Sequence, residues 1–187
     1  MSDRFHFRPA AVLSTLLATA ALLSLSIPAG AQSKAGDFEA GFDIGSVRFD
    51  SAVKGRDREQ LHGGVRGGWF LTDSFELEGQ ISRSNAPLDA TLDAAFVNAV
   101  WSFRPAARIS PYVLVGAGAA QLDEDALFEE RSRHDGSAYH AAIGGRFSFG
   151  DGRLAARIEL SRIVEETLDD AHHHDILTGG LTWRFGR

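Results

Sequence analysis

The chain has 187 residues, a formal net charge of −6, no cysteine and 10% aromatic residues. The acidic balance excludes the basic footprint that a nucleic-acid partner requires. The missing thiols exclude a disulfide framework, a thiolate metal site and a lipidated cysteine, and the length predicts one domain.

Residues 1–31 read as a secretory signal peptide. Arg4 and Arg8 give a basic start, Ala10 to Ile27 is an apolar run, Pro28 breaks it, and Ala29-Gly30-Ala31 is a small-x-small cleavage pattern before Gln32. Cleavage leaves residues 32–187 as one exported domain carrying a net charge of about −7. No later apolar stretch approaches the roughly 20 residues that a spanning helix needs.

From Asp37 the sequence divides into eight segments of roughly ten residues, each alternating apolar with polar or small residues as lipid-spanning strands do. The first sets Phe38, Ala40, Phe42 and Ile44 against Glu39, Gly41, Asp43 and Gly45. The second sets Leu61, Val65, Trp69 and Leu71 against His62 and Arg66, and the third sets Phe75, Leu77, Gly79 and Ile81 against Glu76, Glu78, Gln80 and Ser82. Segments four and five are apolar or small on both faces. Val97, Ala99, Trp101 and Phe103 are assigned outward, and the parity of segment five stays open. The sixth alternates Tyr139, Ala141, Ile143, Gly145, Phe147 and Phe149 with His140, Ala142, Gly144, Arg146 and Ser148, and the seventh alternates Leu154, Ala156, Ile158 and Leu160 with Ala155, Arg157, Glu159 and Ser161.

The connections alternate in length. Those at 50–60, 84–91, 121–136 and 163–175 are long and charged, whereas 72–74, 104–110 and 150–152 are short. In a bacterial barrel the long loops are extracellular and the tight turns periplasmic. The aromatic residues give the same orientation, because amphipathic rings favour the membrane–water boundary. Phe38, Trp69, Phe75, Trp101, Phe103, Tyr112, Phe147, Phe149, Trp183 and Phe185 gather beside the short turns or the C-terminus as an expected periplasmic girdle, while Phe49 and Tyr139 are candidates for a thinner outer one. The predicted fold class is therefore all-β: an eight-stranded antiparallel up-and-down transmembrane β-barrel. A soluble periplasmic lipocalin-like barrel is the competing architecture, but it would turn its apolar face inward.

The last segment, Thr178-Gly179-Gly180-Leu181-Thr182-Trp183-Arg184-Phe185, resembles the C-terminal assembly signal of bacterial outer-membrane proteins. Thr178, Gly180, Trp183 and Phe185 fill its four fixed positions, which implies delivery to the outer-membrane barrel-assembly machinery; Gly186-Arg187 after the final aromatic depart from the pattern. Residues 37–185, with Pro111-Tyr112 and Gly116-Ala117-Gly118 in segment five, resemble the small eight-stranded barrels of the OmpA transmembrane-domain, OmpX and opacity-protein type. That resemblance implies a Gram-negative outer-membrane location and roles in envelope stability, adhesion or immune evasion.

Eight strands enclose only enough space for inward side chains, so a plugged interior is expected. Its predicted charges are Glu39, Asp43, Glu76, Glu78 and Glu159 against Arg66, Arg146, Arg157 and Arg184, a near-balance that burial demands. A narrow channel is the alternative. A lipid A-modifying enzyme is another, because His134-Asp135-Gly136-Ser137 holds nucleophile, base and carboxylate types, although adjacency in sequence is not a triad. The run Glu165-Glu166, Asp169-Asp170, His172-His173-His174-Asp175 contains metal-ligand types, and Asp123-Glu124-Asp125 with Glu129-Glu130 add acid in loop three. Three consecutive histidines on an extended chain cannot share one face, so these read as solvated loop charge. The expectation is a non-enzymatic protein without cofactor or metal. Its partners would be outer-membrane lipid and lipopolysaccharide, and a surface ligand for loops one, three and four.

Overall fold

The computed structural model describes residues 33–49, 60–85, 91–124, 132–166 and 171–186. Residues 1–31, expected from the sequence to be a signal peptide, lie outside them. Eight strands form one closed antiparallel barrel: β1 (Phe38–Phe49), β2 (Gln60–Phe70), β3 (Phe75–Asn85), β4 (Thr91–Ser102), β5 (Ile109–Glu124), β6 (Ser132–Phe149), β7 (Leu154–Glu166) and β8 (Ala171–Phe185). Each strand pairs with its sequence neighbours. β8 closes the ring on β1 from Phe38↔Phe185 to Phe49↔His174, which leaves no free edge in the bilayer.

The short connections are built as tight turns. Between β2 and β3, the Thr72 hydroxyl oxygen accepts from the amides of Ser74 and Phe75, and the Leu71 amide donates to the Phe75 carbonyl at 2.9 Å. Between β6 and β7, Gly150 and Gly152 adopt φ of 55° and 85°, the left-handed region that a side chain disfavours. Residues 33–37 lie across the same end of the cylinder. The Ser33 amide donates to the Pro105 carbonyl at 3.4 Å and the Ala35 amide to an Asp73 carboxylate oxygen at 2.9 Å, tying this segment to two turns.

The long connections are shorter than predicted. β5 continues to Glu124 and β6 begins at Ser132; β7 continues to Glu166 and β8 begins at Ala171. Backbone pairing therefore runs on through much of the charged sequence assigned to loops three and four. The pairs Glu124↔Ser132 and Glu166↔Ala171 end these hairpins. Ladder hydrogen bonds do not depend on side-chain polarity, so a polar run continues a hairpin that the barrel wall has already aligned. His172 to Asp175 accordingly belong to β8.

The two faces follow the alternation. Phe42, Ile44, Val65, Ile81, Val97, Val115, Ile143, Ile158 and Leu177 are exposed on the outside, while charged and polar side chains fill the inside. An apolar exterior over a polar interior inverts a soluble barrel and matches a cylinder solvated by lipid. The doubly apolar β4 and β5 acquire a reason here. Leu92, Ala94, Phe96 and Ala120 face inward and join Val47, Ala138, Ile163 and Ile176 in an apolar cluster in the extracellular half of the lumen, beside the buried His62, Ser84 and His174. Both faces of these strands meet apolar surroundings, lipid outside and this cluster inside. The outward assignment of Val97, Trp101 and Phe103 agrees with their exposure, and the open parity of β5 resolves with Val113 and Val115 outward and Leu114 inward.

Candidate functional site

All nine charged residues expected inside, Glu39, Asp43, Arg66, Glu76, Glu78, Arg146, Arg157, Glu159 and Arg184, are buried in the lumen. They interlock across the cylinder. Arg157 of β7 pairs with Glu78 of β3 at 2.5 Å and with Glu159 at 3.0 Å. Arg66 of β2 donates through Nη2 to Asp43 at 2.8 Å, and its Nη1 reaches Glu159 at 3.3 Å and Glu78 at 3.4 Å. Nearer the periplasm, Arg146 bridges Glu76 at 2.7 Å and Glu39 at 3.1 Å, and Arg184 reaches Glu39 at 3.4 Å. Each arginine touches at least one carboxylate and each carboxylate at least one arginine, the arrangement that makes burial of ions tolerable.

Three neutral groups extend the network beyond what charge patterning identified. The Tyr112 hydroxyl donates to Glu159 at 2.7 Å and accepts from Arg157 Nε at 3.1 Å, while the Arg157 guanidinium lies over the phenol ring at 4.7 Å. Tyr112 is only 1% exposed, so its assignment to the girdle is corrected. It pairs with Ser102 in the β4–β5 register, and both side chains are buried, whereas its neighbour Val113 takes the outward position. The second group is Asn98, whose amide nitrogen donates to Glu78 at 3.2 Å and Gln80 at 3.3 Å. The third, Phe70, is fully buried beneath Arg146 and Arg184, whose guanidiniums stand 5.4 and 5.1 Å from its ring centre. Strict period-two counting from Trp69 would have placed Phe70 inside.

Space for this layer depends on glycine. A Cβ on Gly144 would come within 2.7 Å of the Ile158 carbonyl oxygen and closer still to the Tyr112 ring, and one on Gly68 would meet the Glu76 carboxylate. Small residues opposite large ones allow a narrow cylinder to be filled completely.

Phe38, Trp69, Trp101, Phe103, Phe149, Trp183 and Phe185 point outward at the end with the short turns, with Phe75 and Phe147 half-buried among them. Phe38 stacks on Trp69 with ring centres 6.1 Å apart, and Phe75 meets Trp101 edge-on at 6.3 Å. Tyr139 is exposed at the outer end, and the Phe49 side chain lies outside the described residues. In the assembly-signal segment Thr178 is buried, Gly180 lies against the backbone of Phe42 and Asp43 in β1, and Trp183 and Phe185 face out.

The chemistry-bearing runs are dispersed by the strands that carry them. In β8, His174 is buried while His173 and Asp175 are exposed. His134, Asp135 and Ser137 lie in β6; the side chains of the first two are outside the described residues, as are those of Asp123, Glu124, Glu165, Glu166 and His172. Residues 125, 129, 130, 169 and 170 fall between the described segments. Among the described residues no group of three or more metal-ligating side chains converges. His140 is buried with its Nδ1 3.3 Å from the Asn98 side-chain oxygen, beside Phe96 and away from the lipid face.

A sequence model of the family described as outer membrane protein beta-barrel domain matches residues 17–185. No curated protein matches the sequence. Among solved structures, the barrel is similar to Neisserial surface protein A, at 12% identity and a TM-score of 0.68, covering 80% of this chain and 99% of that one. It is also similar to Ail, the attachment invasion locus protein of Yersinia pestis, at 17% identity and 0.57 over 80% and 99% of the two chains. The N-terminal β-barrel domain of Pseudomonas aeruginosa OprF scores 0.57 at 16% identity over 79% and 97%. The family match and the lipid-facing exterior place the barrel in the bacterial outer membrane, not free in the periplasm. The chain belongs to the family of outer membrane protein β-barrel domains.

Proposed function

We propose that this barrel is a non-enzymatic envelope protein that engages a surface ligand through its extracellular connections, the lumen serving as a filled strut. The observation that carries the reading is the occupied interior. Among the described residues, the interlocked ions from Glu39 to Glu159, the apolar cluster above them and the 33–37 segment below occupy the lumen that catalysis or transport would need. Of the four hairpins that open toward the long connections, β5–β6 and β7–β8 pair over the most described residues, as far as Glu124↔Ser132 and Glu166↔Ala171. Ail, a structural neighbour named for attachment and invasion, has also been crystallised with the heparin analogue sucrose octasulfate; that neighbour, at 14% identity, supports surface binding as the class of role.

Replacing 125–131 or 167–170 by a two-residue turn is expected to preserve the heat-modifiable gel mobility of a folded barrel while abolishing attachment of expressing cells to matrix-coated or host-cell surfaces. Attachment that persists in both variants would overturn the adhesive reading. Reconstituted in planar bilayers, the protein is expected to be electrically silent; steady single-channel steps at 1 M KCl would favour the narrow-channel alternative instead.

A further inference from the structure

The two halves of the barrel repeat one another. In β2 and β6, His62-x-x-Val65 and His140-x-x-Ile143 put a buried histidine and an outward aliphatic residue at matching positions, and Asp73 and Asp151 follow in the turns at the same spacing. Toward their outer ends β3 and β7 share Ile81-Ser82-Arg83 and Leu160-Ser161-Arg162. The match is fullest in β4 and β8, where Asp93 and Asp175 are followed at the same spacing by Trp101-x-Phe103 and Trp183-x-Phe185.

The contacts repeat with the residues. Arg83↔Asp93 and Arg162↔Asp175 are register partners. Each arginine forks onto its aspartate through Nε and Nη2, at 2.6 Å for both atoms in the first half and at 2.7 and 2.9 Å in the second. At the periplasmic end Trp101 pairs with Phe75 and Trp183 with Leu154, the first residues of β3 and β7. The amide after each tryptophan donates to the carbonyl just before that strand, Ser102 to Ser74 at 2.8 Å and Arg184 to Arg153 at 2.7 Å. The outward rings are presented alike, with Trp101 51% and Trp183 48% exposed, and Phe103 59% and Phe185 56%. β6 supplies a contrast: it also ends in two spaced rings, Phe147 and Phe149, but Phe147 is half-buried and Tyr139 stands where the aspartate would. A girdle needs rings at the interface, not an ion pair at a fixed distance along the same strand.

β8 carries the resemblance to the outer-membrane assembly signal. Before the cylinder closes, the last strand of each four-stranded half presents an unpaired backbone edge, β4 toward β5 and β8 toward β1. Strand addition recognises such an edge, backbone bonds giving affinity and alternate side chains giving selectivity. We propose that segment 91–103 of β4 is a second, internal docking strand for the barrel-assembly machinery, read through Trp101 and Phe103. Phe96 and Asn98 stand where Thr178 and Gly180 do in β8, and both are committed to the lumen, Phe96 to the apolar cluster and Asn98 to Glu78 at 3.2 Å. The shared outward rings are the part that a partner outside the barrel reads. This docking role rests on residues 178–185 being an assembly signal, and it is independent of the adhesive role of the loops.

The test follows conversion of the urea-unfolded chain to the heat-modifiable barrel in phospholipid vesicles, with and without the purified assembly machinery. Peptides spanning 91–103 and 171–185 are added as competitors. Both are expected to slow assisted folding and to leave unassisted folding unchanged. Alanine in place of Trp101 and Phe103 in the first peptide should raise the concentration required about tenfold, the loss of two aromatic anchors. In the chain itself, Trp101→Ala/Phe103→Ala is expected to lose the machinery's acceleration, whereas Phe147→Ala/Phe149→Ala, which removes equally spaced rings from β6, keeps it. Unassisted rates separate this loss from a damaged girdle, which slows folding under both conditions. A 91–103 peptide without effect beside an inhibitory 171–185 peptide would overturn the internal strand alone, and failure of both peptides would overturn the terminal signal with it. Equal losses in the β4 and β6 variants would overturn the assignment to β4.

Discussion

Arg157→Ala is expected to lower the unfolding free energy of the refolded barrel by about 3–5 kcal/mol, the cost of removing one partner from a buried ion pair. Arg157 is 3% exposed and joins Glu78, Glu159 and the Tyr112 hydroxyl, with Glu39 a further 3.9 Å away. Without it, Glu78 and Glu159 share the neighbouring Arg66, so negative charge accumulates where water is scarce. The loss comes from stranding those carboxylates rather than from forfeiting attraction alone. A companion variant separates the two contributions. Adding Glu78→Gln to Arg157→Met removes the stranded charge while keeping the volume, and should recover much of the loss. Urea unfolding in phospholipid vesicles, followed by tryptophan fluorescence, measures both. A change below about 1 kcal/mol in Arg157→Ala would mean that water fills the lumen and solvates these groups, and the filled-strut reading would fail with it.

Val97→Arg tests the outer face with the opposite logic. Val97 is 61% exposed and stands midway along β4 between Asp93 at the outer rim and Trp101 in the girdle. On a protein surrounded by water, a substitution at so open a position would change stability by no more than about 0.5 kcal/mol. Facing hydrocarbon near the bilayer midplane, the same arginine should cost about 2–4 kcal/mol. Val97→Ala controls for the lost side chain. The assay is again vesicle unfolding, and equal stabilities of the arginine and alanine variants would contradict the placement of this face in lipid.

Both expectations start from an alternation that is written locally. In an extended chain successive side chains point to opposite faces, so Glu76 and Glu78 are placed opposite Leu77 without knowledge of any other strand. That rule delivered the nine lumen charges and the outward aromatics. Tyr112 escapes the girdle because residue type is a weaker guide than parity: an aromatic residue beside a turn suits a girdle, but its register with Ser102 turns it inward. It also left β4 and β5 ambiguous, since Leu92, Ala94 and Phe96 resemble lipid-facing residues until the apolar cluster in the lumen explains them. Charge composition misplaced the ends of the last two hairpins because ladder pairing is indifferent to side-chain polarity.

By itself, then, the sequence determined the strand count, the inner and outer faces of the strands other than β4 and β5, and the periplasmic end, all of which follow from period two, connection length and the affinity of aromatic rings for an interface. Only the tertiary structure decided which charges meet. Arg66 reaches Glu159 across 93 positions and Arg146 reaches Glu39 across 107 because a closed cylinder brings opposite walls within side-chain reach. Arg48 stands beside Asp175 and Arg162 for a related reason: the ring closes between its first and last strands. Contacts across a lumen and across a seam depend on strand number and stagger, properties of the whole sheet that no local pattern carries.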